Sequence, residues 1–323
     1  MLYQKWRKFL NLHLNKDDFS DLTVLTADFI GIPSTAVRRD YYIVMMLQQL
    51  TRSEYADQCV FKGGTSLSKC YPGTINRFSE DLDLTFIPQG NLGNKQYDRK
   101  LKQIEKVMSA GFLMEKIPSE RNDRNKSSWV WYEGEDRDSA EIKLEIGSSV
   151  RPDPYEKRTL QTYIQDYLES YGMEDTIKDF ALEPVTINTL AIERTFLDKV
   201  MAVKRHAYFG TLPQKARHVY DVTMLLGRPE IQKFLSDKAE MKQLLDLTKE
   251  TDRFYLTKRG IAKDYDPTGP YGFSAWKDKF DQQLKSNYER LHETLLYTDK
   301  KQDFSKAVAA FEEIDRIFKE IGE

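Results

Sequence analysis

The sequence predicts an α/β (α+β) N-terminal lobe built on a mixed sheet, followed by a mainly α-helical C-terminal lobe. Three observations carry this. Strand-like and helix-like runs alternate through the first half of the chain. Two later strand candidates are separated only by a turn-rich acidic stretch. After about residue 155 nearly every run has helical periodicity. The expected domains are 1–180, with N-terminal helices ahead of the sheet, and 181–323.

In chain order, IPSTAVRRDYYIVMMLQQL opens with Pro33 and Ser34 as a capping pair and continues with helix-spaced apolar residues. QCVFKGG reads as a short strand ending in glycines, and TSLSKCY as a short helix closed by Pro72 and Gly73. LDLTFI alternates and is rich in strand formers, with Pro88 ending it. QYDRKLKQIEKVMSAGF is a helix with Gly111 near its end. SSWVWYEG and AEIKLEIGSS are strands on either side of the acidic turn EGEDRDS. Beyond them VTINTL is the one short strand among helices. Those helices are TLQTYIQDYLESYG, AIERTFLDKVMAVKRHAY, ARHVYDVTMLL, PEIQKFLSDKAEMKQLLDLT, a helix through SAWKDKFDQQLKSNYERLHETLL, and DFSKAVAAFEEIDRIFKEI.

Composition narrows the class. With 40% hydrophobic and 31% charged residues, the chain is not globally disordered. A net charge of −2 argues against wholesale coating of nucleic acid but leaves room for a local basic patch. Cys59 and Cys70 form neither a disulfide framework nor a zinc spacing. MLYQKWRKFLNLHLNKDD lacks the apolar centre of a secretion signal, and YYIVMML falls far short of the ~18 residues a membrane span needs. A cytoplasmic protein without a membrane partner is expected.

The chemistry concentrates in FKGGTSLSKCYPGTINRFSEDLDLTF. Gly63 and Gly64 at a strand end permit positive φ and close backbone approach, and Thr65 and Ser66 open the helix that follows. Free N–H groups, two hydroxyls and the helix dipole then favour a phosphate; the same residues also describe an ordinary capped turn. Asp81 and Asp83, two apart on a strand, project to one face, while Leu82, Leu84 and Phe86 line the other. Two carboxylates so close need a cation or donors, and hard oxygen ligands suit Mg²⁺; a solvated strand face is the plainer reading. Glu145 in IKLEIG offers a third carboxylate with Lys143 on the same face, and Glu141 shares that face, so periodicity does not choose between the glutamates. Arg77 and Ser79 stand where they can touch phosphates or cap the loop. Together these describe a nucleoside-triphosphate site for phosphoryl or nucleotidyl transfer.

The order of FKGGTSLSK, RFSEDLDL, IKLEIG, TLAIERTFLDKV and RHVYDVTMLL, spread over residues 60 to 226, resembles the polymerase-β-like nucleotidyltransferases. Within them it resembles the AbiEii/AbiGii toxin family, related to the MenT toxins. The resemblance implies a bilobed, Mg²⁺-dependent nucleotidyltransferase with a helical lobe closing over the nucleotide. It further implies transfer to the acceptor end of tRNA that blocks translation, and an antitoxin partner in an abortive-infection or type IV toxin–antitoxin system. One departure is that Glu145 stands where relatives often place an aspartate, leaving open whether it ligates metal, acts as base or does neither.

The helical half adds two candidates. In AIERTFLDKVMAVKRH, Lys199 falls inside the apolar arc of Ile192, Phe196, Val200 and Val203. A lysine there either snorkels to the edge or meets a buried anion such as a phosphate; by resemblance it matches a functional lysine. Asp221 is four residues from Arg217, which fits a surface ion pair. By resemblance Asp221 is instead a functional acid that orients Lys199 or serves as base. His218 ranks below it. Arg151, Lys157, Arg158, Lys204, Arg205 and Lys215 are candidates for an RNA-facing rim. Two further readings are kept: the same chemistry on a protein or small-molecule acceptor, and a catalytically idle nucleotide-binding or partner-binding module.

Overall fold

The computed structural model describes residues 11–133, 140–149, 151–257, 260–298 and 300–323. The acidic turn at 134–139 and the first ten residues, both used in the sequence reading, lie outside these. Seven strands form one sheet: β1 (Cys59–Lys62), β2 (Asp81–Phe86), β3 (Leu113–Lys116), β4 (Asn125–Trp131), β5 (Glu141–Gly147), β6 (Tyr155–Leu160) and β7 (Val185–Leu190). Their order is β3-β4-β5-β2-β1-β7-β6. The sheet is mixed: β3/β4 and β4/β5 pair antiparallel, whereas β2/β5 and β1/β7 pair parallel.

The two strands that sequence patterning did not reveal, β3 and β6, are the sheet's two edges. Both are largely exposed, with LMEK and YEKRTL offering little apolar alternation. An edge strand buries little of either face, and charged side chains there discourage pairing with another chain. In the interior, β5 alternates strictly between half-buried and buried residues, as its EIKLEIG pattern requires.

The chain separates into two compact units with interleaved segments. The first comprises Met1–Phe61, Glu80–Gly147 and Lys157–Thr189, and carries nearly all of the sheet with helices Ser34–Thr51 and Asn94–Met108. The second comprises Lys62–Ser79, Ser148–Glu156 and Leu190–Glu323, and is mainly helical. Within the second unit the loop before β2 is pinned by backbone bonds, Phe78 N–H to Leu295 O at 2.8 Å and Tyr297 N–H to Asn76 O at 3.0 Å.

Two long helices expected from periodicity are broken. PEIQKFLSDKAEMKQLLDLT divides into Pro229–Ser236 and Lys238–Leu256, because Asp237 caps the second helix by accepting from the N–H groups of Ala239 and Glu240. The run through SAWKDKFDQQLKSNYERLHETLL becomes two 3₁₀ turns, then helices Gln282–Glu289 and Leu291–Thr294. Phe273, Trp276, Phe280 and Phe311 pack against one another there, so ring packing overrides the helical period. Tyr271, Phe273 and Tyr288 are buried core residues. No helix among the described residues is long and apolar enough to cross a membrane.

Candidate active site

The acidic face lies in the first unit. On β2, Leu82 and Leu84 are buried while Asp81 and Asp83 are half-exposed on the opposite face. The parallel register places Asp81 level with Lys143 and Asp83 level with Glu145. That register distinguishes the two glutamates: Glu145 sits beside Asp83, while Glu141 precedes the first β2 pairing and is level with Trp131 on β4. Lys143 bonds Glu145 at 2.7 Å and Glu120 at 2.8 Å. Burial works to lower its pKa, but the two carboxylates outweigh this and hold its ammonium above the ordinary lysine range.

Glu145 is therefore engaged by a lysine. Among the described residues no group of three or more His, Cys, Asp or Glu is arranged to hold a metal. Two aspartates on one strand face nevertheless fit Mg²⁺, which takes one or two carboxylates and completes its shell with water and phosphate oxygens.

The second group lies in the helical unit. Gly63 has φ of +86°, a conformation that favours glycine, and starts the helix Gly63–Cys70. Gly64 is glycine for a different reason: a Cβ there would lie 2.6 Å from Arg77 Nη2 and 2.8 Å from Ser79 Oγ. Thr65 Oγ1 donates to Ser79 Oγ at 2.9 Å, and Ser66 Oγ donates to Gly63 O at 3.0 Å. Both hydroxyls thus bond within the turn. Lys62, at the N-cap, supplies no side-chain cap to the first helical N–H groups.

Behind this turn lies a buried charge cluster. Asp221 is 0%, Arg77 2% and Lys199 6% exposed. Arg77 grips Asp221 with two bonds of 2.6 Å, Nε to Oδ1 and Nη2 to Oδ2, and its Nη1 donates to Phe78 O at 2.7 Å. Lys199 Nζ donates to Asp221 Oδ2, also at 2.6 Å. Burial alone would raise the Asp221 pKa, yet the two cations hold the carboxyl far below the usual carboxylate range. Burial lowers the Lys199 pKa, with Asp221 opposing. Asp221 is thus no surface partner of Arg217 alone; it is the shared anion of two buried cations.

The sequence reading missed the Arg77–Asp221 bond, whose partners are 144 residues apart, and missed Glu120 as the second partner of Lys143. His218 is kept neutral at pH 7 by burial, reinforced by Lys199, and its ring stacks on His206 with centroids 6.0 Å apart. Of the basic residues considered for an RNA rim, Lys204 is buried and donates to Pro270 O at 2.6 Å, while Arg205 pairs with Asp252. Those two face inward.

A family model described as nucleotidyl transferase AbiEii toxin, type IV TA system, matches residues 46–315. No curated protein matches the chain. Two solved structures are similar in outline. The nucleotidyltransferase toxin MenT4 of Mycobacterium tuberculosis is 18% identical, with 93% of this chain and 98% of that one covered and a TM-score of 0.48. JHP933 of Helicobacter pylori is 17% identical, with 90% and 94% covered and a TM-score of 0.44.

Proposed function

Because the chain belongs to the AbiEii family of nucleotidyl transferase toxins of type IV toxin–antitoxin systems, we propose that it transfers a nucleoside monophosphate from a nucleoside triphosphate to the 3′ end of tRNA. Transfer requires Mg²⁺, blocks translation in the cytoplasm, and is restrained by a cognate antitoxin until an abortive-infection response releases it.

The observation that carries this reading is the state of Lys199. Its ammonium is nearly fully buried, yet its carboxylate partner Oδ2 is already shared with Arg77 Nη2. A buried ammonium with one donor engaged and two to offer is costly unless an anion meets it. A triphosphate is such an anion. The N–H groups of the helix opening at Gly63, Gly64, Thr65 and Ser66, with the positive end of its dipole, favour the same ligand.

Roles follow from the bonds. Lys199 neutralises phosphate. Asp221, closed to solvent with each oxygen held by a cation, positions Lys199. Arg77 fixes Asp221, and Ser79 buttresses the turn through Thr65. Asp81 and Asp83 would hold the divalent cation, and Glu145, whose Oε1 is held by Lys143, would join only through its other oxygen or by releasing the lysine. Bound there, the cation supplies neutralisation of the charge that develops on the phosphoryl oxygens. The acceptor hydroxyl forms a bond to the α-phosphorus and gives up its proton to water, as the bond to the α–β bridging oxygen breaks and pyrophosphate leaves with that electron pair.

The test incubates purified protein, and an Asp81→Asn/Asp83→Asn variant, with Mg²⁺, total cellular RNA and each α-³²P-labelled nucleoside triphosphate, followed by a denaturing gel. A labelled tRNA-sized band with the wild type alone is expected. Label on protein, or none on any RNA, would overturn the tRNA assignment.

A further inference from the structure

A cavity of about 190 Å³ lies within the helical unit, with walls that include Lys62, Asp198, Met201, Arg205, Asp252 and Tyr255. Two of these residues are sequence neighbours of the proposed phosphate-binding groups. Lys62 precedes Gly63, and Asp198 precedes Lys199. Met201 and Arg205 follow Asp198 at one and two turns along the helix Ile192–Tyr208, and the helix Lys238–Leu256 supplies the facing wall.

The lining chemistry excludes most ligands. Asp198 and Asp252 balance Lys62 and Arg205, so the lining carries no net positive charge to draw a phosphate, and an apolar guest would strand the charged groups. Volume is equally selective: a cavity of ~150 Å³ admits a benzene ring, so this one takes a single base and not a whole nucleotide.

The polar groups are held in fixed orientations. Asp198 Oδ1 accepts from Arg194 Nε at 2.9 Å, and the same guanidinium is anchored by Nη1 to Asp153 O at 2.8 Å. Asp198 Oδ2 has no hydrogen-bond partner among the described residues. Arg205 pairs with Asp252 and lies over the Tyr255 ring, 5.6 Å from its centroid. Asp252 is fixed from the other side by the Tyr265 hydroxyl at 2.7 Å. The result is an aromatic face, a thioether and an oriented carboxylate acceptor around one ring-sized space.

Resting on the transfer reading above, we propose that this cavity holds the base of the incoming nucleotide, stacked on Tyr255 with an N–H edge donating to Asp198. Base selection then resides in the helical unit.

The test is calorimetric binding of Mg²⁺–tripolyphosphate and of each Mg²⁺–nucleoside triphosphate to the full chain, without RNA. The variants are Tyr255→Ala, Tyr255→Phe and Asp198→Asn. The wild type is expected to bind its preferred nucleotide at least tenfold more tightly than tripolyphosphate. Tyr255→Ala should lose about tenfold of that margin, in the range of base–aromatic stacking, and Tyr255→Phe should keep most of it. Asp198→Asn, nearly isosteric and still able to accept from Arg194, should change the order of preference among bases even if Tyr255→Ala fails to fold. Tripolyphosphate affinity should not move in any folded variant. Equal affinity of the wild type for nucleotide and tripolyphosphate, or an intact margin in Tyr255→Ala and Asp198→Asn, overturns this inference and leaves the transfer reading standing. Binding of neither ligand overturns both.

Discussion

The buried charge cluster and the acidic strand face are built on opposite principles. Arg77, Asp221 and Lys199 are closed off from water and locked by three bonds of 2.6 Å. Asp81, Asp83, Lys143 and Glu145 lie half-exposed on strands, positioned by register. The first group cannot be altered without leaving a charge stranded in a low-dielectric place, so on the proposed reading a change there should affect folding as well as transfer. The second can lose a charge to solvent screening at little cost to the fold. Activity and stability should therefore part company between the two regions.

The sharpest break is expected at Asp221. Asp221→Ala leaves Arg77 and Lys199 buried without their shared anion, and should cost about 3–5 kcal/mol of stability in urea unfolding together with all transfer. Next comes the acidic face. Asp81→Asn/Asp83→Asn should lower transfer at least a hundredfold, through loss of the cation's contribution of several kcal/mol, while unfolding shifts by no more than about 0.5 kcal/mol. An equal stability loss at both places would erase the contrast.

Gly64→Ala tests the packing behind the turn. With Arg77 Nη2 and Ser79 Oγ both inside 3 Å of the added Cβ, it should destabilise by about 1–3 kcal/mol and reduce transfer by displacing the group that holds Asp221. Glu145→Gln should cost less than about 1 kcal/mol, since Lys143 keeps Glu120; a collapse of transfer with stability intact would promote Glu145 to a metal ligand. A pH dependence lies outside both regions. Burial, with Arg205 and Lys215 adding to it, brings the His206 pKa down to about 4. Below its ordinary pKa of ~6.5 the unfolded chain binds a proton that folded His206 refuses, so stability falls as pH drops from 6.5 toward 4. His206→Gln should flatten that slope in thermal melts.

The acidic face was legible because its information is local. Asp81 and Asp83 share a strand with Leu82 and Leu84, and period-two alternation alone sets their common direction. Lys199 was legible as an anomaly, a cation inside an apolar helical arc. Its bond to Asp221 was reached only through the family resemblance, and the Arg77–Asp221 contact was not legible at all, because it spans 144 residues and depends on how separate elements pack. The glycines show a subtler limit. Gly63 follows from backbone conformation, but Gly64 is required by the Arg77 side chain, a reason no local pattern contains. The edge strands β3 and β6 escaped notice for the opposite cause: with little apolar surface to bury, they carry almost no periodic signal.

The most direct test of the division of labour is tripolyphosphate binding measured first in EDTA and then in Mg²⁺, for the wild type, Lys199→Met and Asp81→Asn/Asp83→Asn. In EDTA, Lys199→Met should lose binding, and the double aspartate variant should bind as well as or better than the wild type once two repelling carboxylates are gone. Mg²⁺ should strengthen binding to the wild type and Lys199→Met but not to the aspartate variant. Metal-independent binding that survives Lys199→Met and disappears with the aspartates would contradict the account.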